Sequence, residues 1–291
     1  MHPAPSVILF TVLSGLGFGF LAALGAGFVQ PVGWAAFWVW GLGYGLAVGG
    51  LMASTFHLGN PQRAWRAFSQ WRTSWLSREG CAAVAALLIL APVALSDWLD
   101  LGWPRWIGLI GAVLALGAVF TTSMIYGQLK AIPRWNHWTT SALFMTFSLT
   151  GGALLAGQTV AAILLLIALA GVLILNWRIG DGRFAEVGAS LETATGLGAI
   201  GAVSVFEQAH TAGNYLLREM IYVVGRKHAQ KLRVLALIFA CALPALLLLL
   251  APPGLTTTAV ASILHLLGAA ASRWLFFAQA EHVVGLYYGK R

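Results

Sequence analysis

Eight times along the chain an apolar run long enough to cross a lipid bilayer recurs, and nothing else in the sequence constrains the fold as strongly. The runs cover about 6–29, 34–56, 79–97, 106–128, 138–157, 159–177, 232–251 and 257–280. Each is near the ~20 residues that a helix needs to cross a hydrocarbon core ~30 Å thick. The charge inventory agrees: 9% of the 291 residues are charged and 59% are hydrophobic, where soluble domains carry about 25% charged residues. So apolar a surface must face lipid, where only helices and closed barrels satisfy their own backbone groups. The expectation is an all-α integral membrane protein, a single bundle of eight transmembrane helices. The first run lacks a basic n-region and a small-residue cleavage site, so it reads as a retained helix rather than a signal peptide.

Two connectors break this pattern, 57–78 and 178–231. The second holds five of the nine acids and an apolar piece, 194–206, that is too short to span. With eight helices, both connectors and both termini fall on one side of the membrane. That side carries fifteen Lys and Arg, whereas the other carries Arg105 alone, beside Asp97 and Asp100. The positive-inside rule makes the basic side cytoplasmic. The expected place is therefore a bacterial inner (cytoplasmic) membrane, with both termini and both connectors in the cytoplasm. The net charge of +8 then reports orientation and partner docking, not nucleic acid. A polar segment of 54 residues would be unusually long if it bound nothing, so 57–78 and 178–231 are expected to dock a soluble partner.

The first connector concentrates the chemistry. "STFHLGNPQRAWRAFSQWRTSWLSREG" (54–80) holds one His, four Arg, three Trp and one Glu. Its Arg and Trp suit an interfacial segment, with rings at headgroup depth and guanidiniums on phosphate. That leaves His57 and Glu79, which flank the connector at opposite ends. Ionisable groups at a membrane boundary are functional candidates, and a His exchanges protons near neutral pH, as quinone chemistry requires. The plain alternative is that His57 is an ordinary polar cap.

The last run adds Arg273, with Glu281 and His282 nearer its cytoplasmic end. An Arg inside a span costs about 2.5–3.5 kcal/mol unless it snorkels or finds a partner or wet cavity. Glu281, eight residues on, lies roughly 80° around an ideal helix, so the two could face one cavity without pairing directly. The two cysteines, Cys81 and Cys241, sit inside apolar runs with no C-x-x-C, so this chain has no means of ligating an iron–sulfur cluster. A bis-His haem b would need imidazoles at matching depth. His57, His137 and His282 share the cytoplasmic end and His265 lies towards the other, and no spacing supports a pair.

These residues carry a resemblance. The stretch H-L-G-x-P-x-R-A followed by L-S-x-E, with the helix layout and the late "R…F…EH", resembles the DmsC family, the membrane-anchor subunits of dimethyl-sulfoxide-reductase-type molybdoenzymes. The resemblance implies an anchor without metal of its own, exchanging electrons with the quinone pool (ubiquinone or menaquinone). Its implied partners are a molybdopterin catalytic subunit and a four-cluster iron–sulfur subunit. It also implies that His57 and Glu79 serve quinone chemistry. The expected quinone-binding set is His57, Arg63, Arg66, Glu79, Arg273, Glu281 and His282. The cytoplasmic placement, with "IPRWNH", "NYLLREM" and "HVVGLYYGKR", is similar to the anchor of cytoplasm-facing sulfite dehydrogenases (SoeC-type) more than to the reductase anchor. Alternatives are a quinol-oxidising reductase anchor and a purely structural anchor. A transporter should show inverted repeats and midplane charges, and the sequence has neither.

Overall fold

A computed structural model describes residues 1–57, 60–207, 214–221 and 228–289, with the side chains of 56, 57 and 61 outside the description. Among the described residues there is helix and no strand. The long helices are α1 (Pro5–Gly25), α2 (Trp34–Ala53), α3 (Trp75–Leu99), α4 (Trp106–Gly127), α5 (Trp138–Leu155) and α6 (Thr159–Glu186). Two short helices follow, α7 (Leu191–Thr195) and α8 (Tyr215–Glu219). Next comes one continuous rod, α9 (Ala229–Leu237) and α10 (Leu243–Leu250) joined by a π-turn over Ile238–Ala242, and then α11 (Leu255–Ala278).

Seven of these helical segments are long and apolar enough to cross a membrane, with α9 to α10 counted as one. The expected eight are therefore met in part. The segment outside the seven is α5, which has 18 residues and carries Thr139, Thr140, Ser141, Thr146, Ser148 and Thr150 in a short span. Its hydroxyls are turned inward: Thr140 bonds the Trp135 carbonyl at 2.8 Å and Ser148 bonds the Gly15 carbonyl at 2.7 Å. A helix wrapped by α1, α4, α6 and α11 does not need an apolar circumference, because few of its side chains meet lipid.

Small residues set how closely the helices approach. A Cβ on Gly19 of α1 would strike the Ser148 carbonyl of α5, and one on Gly152 would strike the Gly19 carbonyl. With no hydrophobic drive between helices in lipid, such close backbone contact is what holds a bundle together. In α9–α10, Pro244 has no N–H to return to the preceding turn, and the helix widens there into the π-turn. The Ala240 carbonyl, four residues before Pro244, instead accepts from His265 Nδ1 of α11 at 2.8 Å.

Two ionic clusters mark the ends of the bundle. At one end, Asp97 accepts from Trp40 Nε1 (3.0 Å) and pairs with Arg105 (2.9 Å). At the other, Asp181 of α6 holds Arg134 (2.5 Å) and Arg233 (2.6 Å) together. With its amide oriented to suit its donors, Gln279 accepts from Arg233 at 2.8 Å. Burial pulls the Arg134 guanidinium below its usual range, and its bond to Asp181 offsets part of that.

Candidate functional site

Glu79 lies in the second turn of α3. The expected run began at 79, but the helix starts at Trp75, so Glu79 points from a helix interior rather than from its first residue. The connector is fastened just beside it. Ser77 Oγ donates to the Ala67 carbonyl and accepts from the Gln70 N–H (3.2 Å), and the Phe68 ring lies against Gly80. Glu79 itself is 5% exposed and faces α4, where Thr122 Oγ1 lies 2.6 Å from its Oε1. Thr122 has one hydrogen to give, and the Ala118 carbonyl is also within reach at 2.9 Å. The hydroxyl therefore either donates to a carboxylate, or donates to Ala118 and accepts from a protonated Glu79.

One turn further along α4 stands Tyr126, within electrostatic reach of both Glu79 and Arg273. Its ring is caged by Trp135, Phe144, Phe276 and Phe277, with centroids 5.3, 5.6, 5.4 and 5.5 Å away. Trp135 stacks on Phe276 at 5.0 Å and donates Nε1–H to the Phe276 carbonyl (2.9 Å), which ties the 128–137 loop to α11.

Arg273 closes the site from α11. It is 5% exposed, and its Cζ lies 3.5 Å above the centre of the Phe144 ring. A desolvated cation over an aromatic face gains about 2 kcal/mol. Yet its Nε and Nη1 are buried without a hydrogen-bond partner, and each such orphan costs about 1–3 kcal/mol. The side chain lines a cavity of about 20 Å³ with Thr11, Phe144, Ser148 and His265, room for roughly one oxygen-sized group. What fits there is one hydrogen-bond acceptor, the oxygen of a water, a carbonyl or an anion.

The structure thus brings Glu79 and Arg273 within electrostatic reach of Tyr126, which the sequence reading did not single out. The signal was there in "TTSMIY" (121–126), a cluster of hydroxyls inside an otherwise apolar run. The other expected residues lie elsewhere. The side chain of His57 is outside the described residues, as are Arg226, Lys227, Lys290 and Arg291 of the charge count. Arg63 and Arg66 are exposed in the 3-10 helix Pro61–Phe68, and Arg66 lies beside Trp65 at 5.6 Å. α11 ends at Ala278, so the 80° helical projection does not extend to Glu281, which lies within electrostatic reach of Arg134. His282 caps the 3-10 helix Val283–Tyr288, its Nδ1 accepting from the Val284 N–H at 3.0 Å. Burial, then the nearby N-terminal amine, pulls its pKa down. Among the described imidazoles, His137 caps α5 and His265 holds Ala240.

Comparison with known proteins places this geometry in context. A family model for the DMSO reductase anchor subunit (DmsC) matches residues 3–279. The C subunit of the sulfite dehydrogenase from Allochromatium vinosum is 29% identical over 99% of this chain and 99% of its own. The anaerobic dimethyl sulfoxide reductase chain YnfH of Escherichia coli is 33% identical over 60% of this chain and 68% of its own. No solved structure matches.

Proposed function

The chain belongs to the DmsC family of DMSO reductase anchor subunits, and from that premise we propose that it is the quinone-binding anchor of a complex that oxidises sulfite in the cytoplasm. Its partners in this reading are a molybdopterin catalytic subunit and a four-cluster iron–sulfur subunit, which delivers the electrons. The observation that carries quinone binding is Arg273, a buried guanidinium with two unmet N–H groups at the edge of an aromatic cage. The likeness to the sulfite dehydrogenase protein over nearly the whole of both chains supports the substrate. The likeness to YnfH supports the reverse direction, a quinol-oxidising reductase anchor, as the second reading.

Eight crossings are part of the proposal, and parity supports them. The Met1 amine donates to the Ala280 carbonyl at 2.9 Å, so the start of α1 and the end of α11 share one face. Returning to the same face takes an even number of spans, and α5 is the one that adds to seven. At ~1.5 Å per residue its 18 residues reach ~27 Å. The basic connectors lie on that shared face, which the charge rule makes cytoplasmic.

Reduction of a quinone takes two electrons and two protons, and the residues divide that work. Arg273 offers its free N–H groups to an acceptor oxygen and favours negative charge there. Glu79 holds a proton at its carboxyl, and the single hydrogen of Thr122 switches between Glu79 and Ala118 as that proton comes and goes. His57, carried over from the family resemblance, supplies protons at the connector. Trp135, Phe144, Phe276 and Phe277 exclude water. Arg63 and Arg66, exposed with Trp65, serve the partner or lipid surface.

The test uses the purified complex, with bound quinone extracted and sulfite compared with dimethyl sulfoxide as substrate. Glu79→Gln should slow quinone turnover while sulfite still reduces the clusters. Loss of cluster reduction as well would make Glu79 a docking residue. If His57→Ala kept full quinone-coupled activity, a purely structural anchor would be the better account.

A further inference from the structure

A second, larger recess opens at the far half of the bundle, away from the connectors. It encloses about 420 Å³, within the ~300–1,000 Å³ typical of small-molecule sites. Its floor is α1 at Gly19, Ala22 and Ala23, one wall is α4 at Ala112, and the other is α5 and α6 at Ala153 and Ala161. Gln158 is its one polar lining residue. Small side chains leave the room, and the exposed Leu109 and Val113 on its rim open it sideways, towards where lipid would lie. By itself such a groove says nothing about its occupant.

Its alignment with the polar site does. Ala112 lines the groove, Val119 lines the Arg273 cavity and Tyr126 stands in the cage. They are seven residues apart, so they fall nearly on one line of α4 and span ~21 Å. On α1, Val12 lines the cavity and both Gly19 and Ala26 line the groove, again at spacings of seven. A single seam between α1, α4 and α5 therefore aligns two separate spaces, a small cavity beside a buried cation with free N–H groups and an apolar trough. A ligand that occupied both would carry an acceptor oxygen at one end and a long flexible hydrocarbon at the other.

We infer that the trough seats the isoprenoid tail of the quinone whose head group reaches the Tyr126–Arg273 end, an inference that rests on the quinone-binding reading. Leu16 and Val119 stand between cavity and trough, and the flexible Leu16 side chain is the one that gives way to a tail. An acyl chain of a phospholipid is the competing occupant. It would fill the trough but has no reason to be aligned with Arg273.

The experiment measures turnover of long-tailed ubiquinone and menaquinone against their tail-free ring analogues, using the intact complex in detergent. Ala161→Trp fills the trough from its exposed wall, where folding is least at risk. The ratio of long-tail KM to tail-free KM should rise several-fold. In the unmodified complex, a quinone with a photoreactive tail should label peptides containing residues 19–26 and 109–116. An unchanged ratio with labelling elsewhere overturns the tail site, as does labelling there by a photoreactive phospholipid that excess long-tailed quinone fails to displace. A wild-type complex that reduces neither class of quinone overturns the quinone reading and the tail site with it. That result differs from one in which both quinones turn over and only the ratio stays flat.

Discussion

At the residue scale, Arg273 and Glu79 carry opposite debts. The two unmet N–H groups of Arg273 cost about 1–3 kcal/mol each, against about 2 kcal/mol from its place over Phe144. Arg273→Met, of similar volume, should therefore leave the subunit no less stable in thermal unfolding while extractable quinone disappears. A clear fall in Tm would mean that the guanidinium is structural. Thr122→Val does the reverse. It keeps the shape and removes the bond to Glu79, so a buried carboxyl loses its partner at about 1–3 kcal/mol. The lower Tm should be rescued by Thr122→Ser. Arg273 and Glu79 were legible in the sequence because a charge inside an apolar run costs too much to be idle. Tyr126 was not, since an amphipathic ring fits a lipid interface as well as a core, and only packing from α4, α5, α11 and the 128–137 loop reveals the cage.

At the scale of elements, helix existence followed from apolar length, whereas helix ends followed from local contacts that no hydropathy pattern contains. α6 runs on to Glu186 rather than stopping at 177, because Asp181 is held inside the helix by Arg134 and Arg233. The π-turn offers a sharp test. His265→Phe should leave the Ala240 carbonyl unbonded and cost about 1–3 kcal/mol. Adding Pro244→Ala returns an α-helical donor to that carbonyl and should recover much of the loss, so the two changes should be non-additive in unfolding measurements. The C-terminal 3-10 turn should respond to acid. His282 caps it as the neutral imidazole, and its folded pKa is depressed by burial. A depressed imidazole gives stability that is full above the ordinary value of about 6.5 and is lost as pH falls through the folded value. The protection factor of the Val284 amide, taken relative to its intrinsic exchange rate at each pH, should fall on acidification in wild type and show no such dependence in His282→Asn, which keeps a cap without a titrating ring.

At the scale of the whole molecule, the polar chemistry is gathered at one end. Glu79 is four residues from the start of α3 and Arg273 five from the end of α11, roughly 6 and 8 Å along their helices. Beyond them lies the apolar trough, with Gln158 as its one polar lining residue, and then the Asp97–Arg105 pair at the far rim. An apolar stretch of that kind offers protons no stepping stones, so in the proposed quinone reading the two protons enter from the connector side. If sulfite is oxidised on that same side, release and uptake of protons occur in one compartment and no charge crosses the bilayer. Complex reconstituted in sealed, quinone-loaded vesicles, with sulfite added to the connector face, should turn over at a rate indifferent to a protonophore and leave a potential-sensitive dye silent. A membrane potential built by turnover, collapsing on addition of the protonophore, would require a proton path through the trough and would overturn this placement of the proton-handling groups.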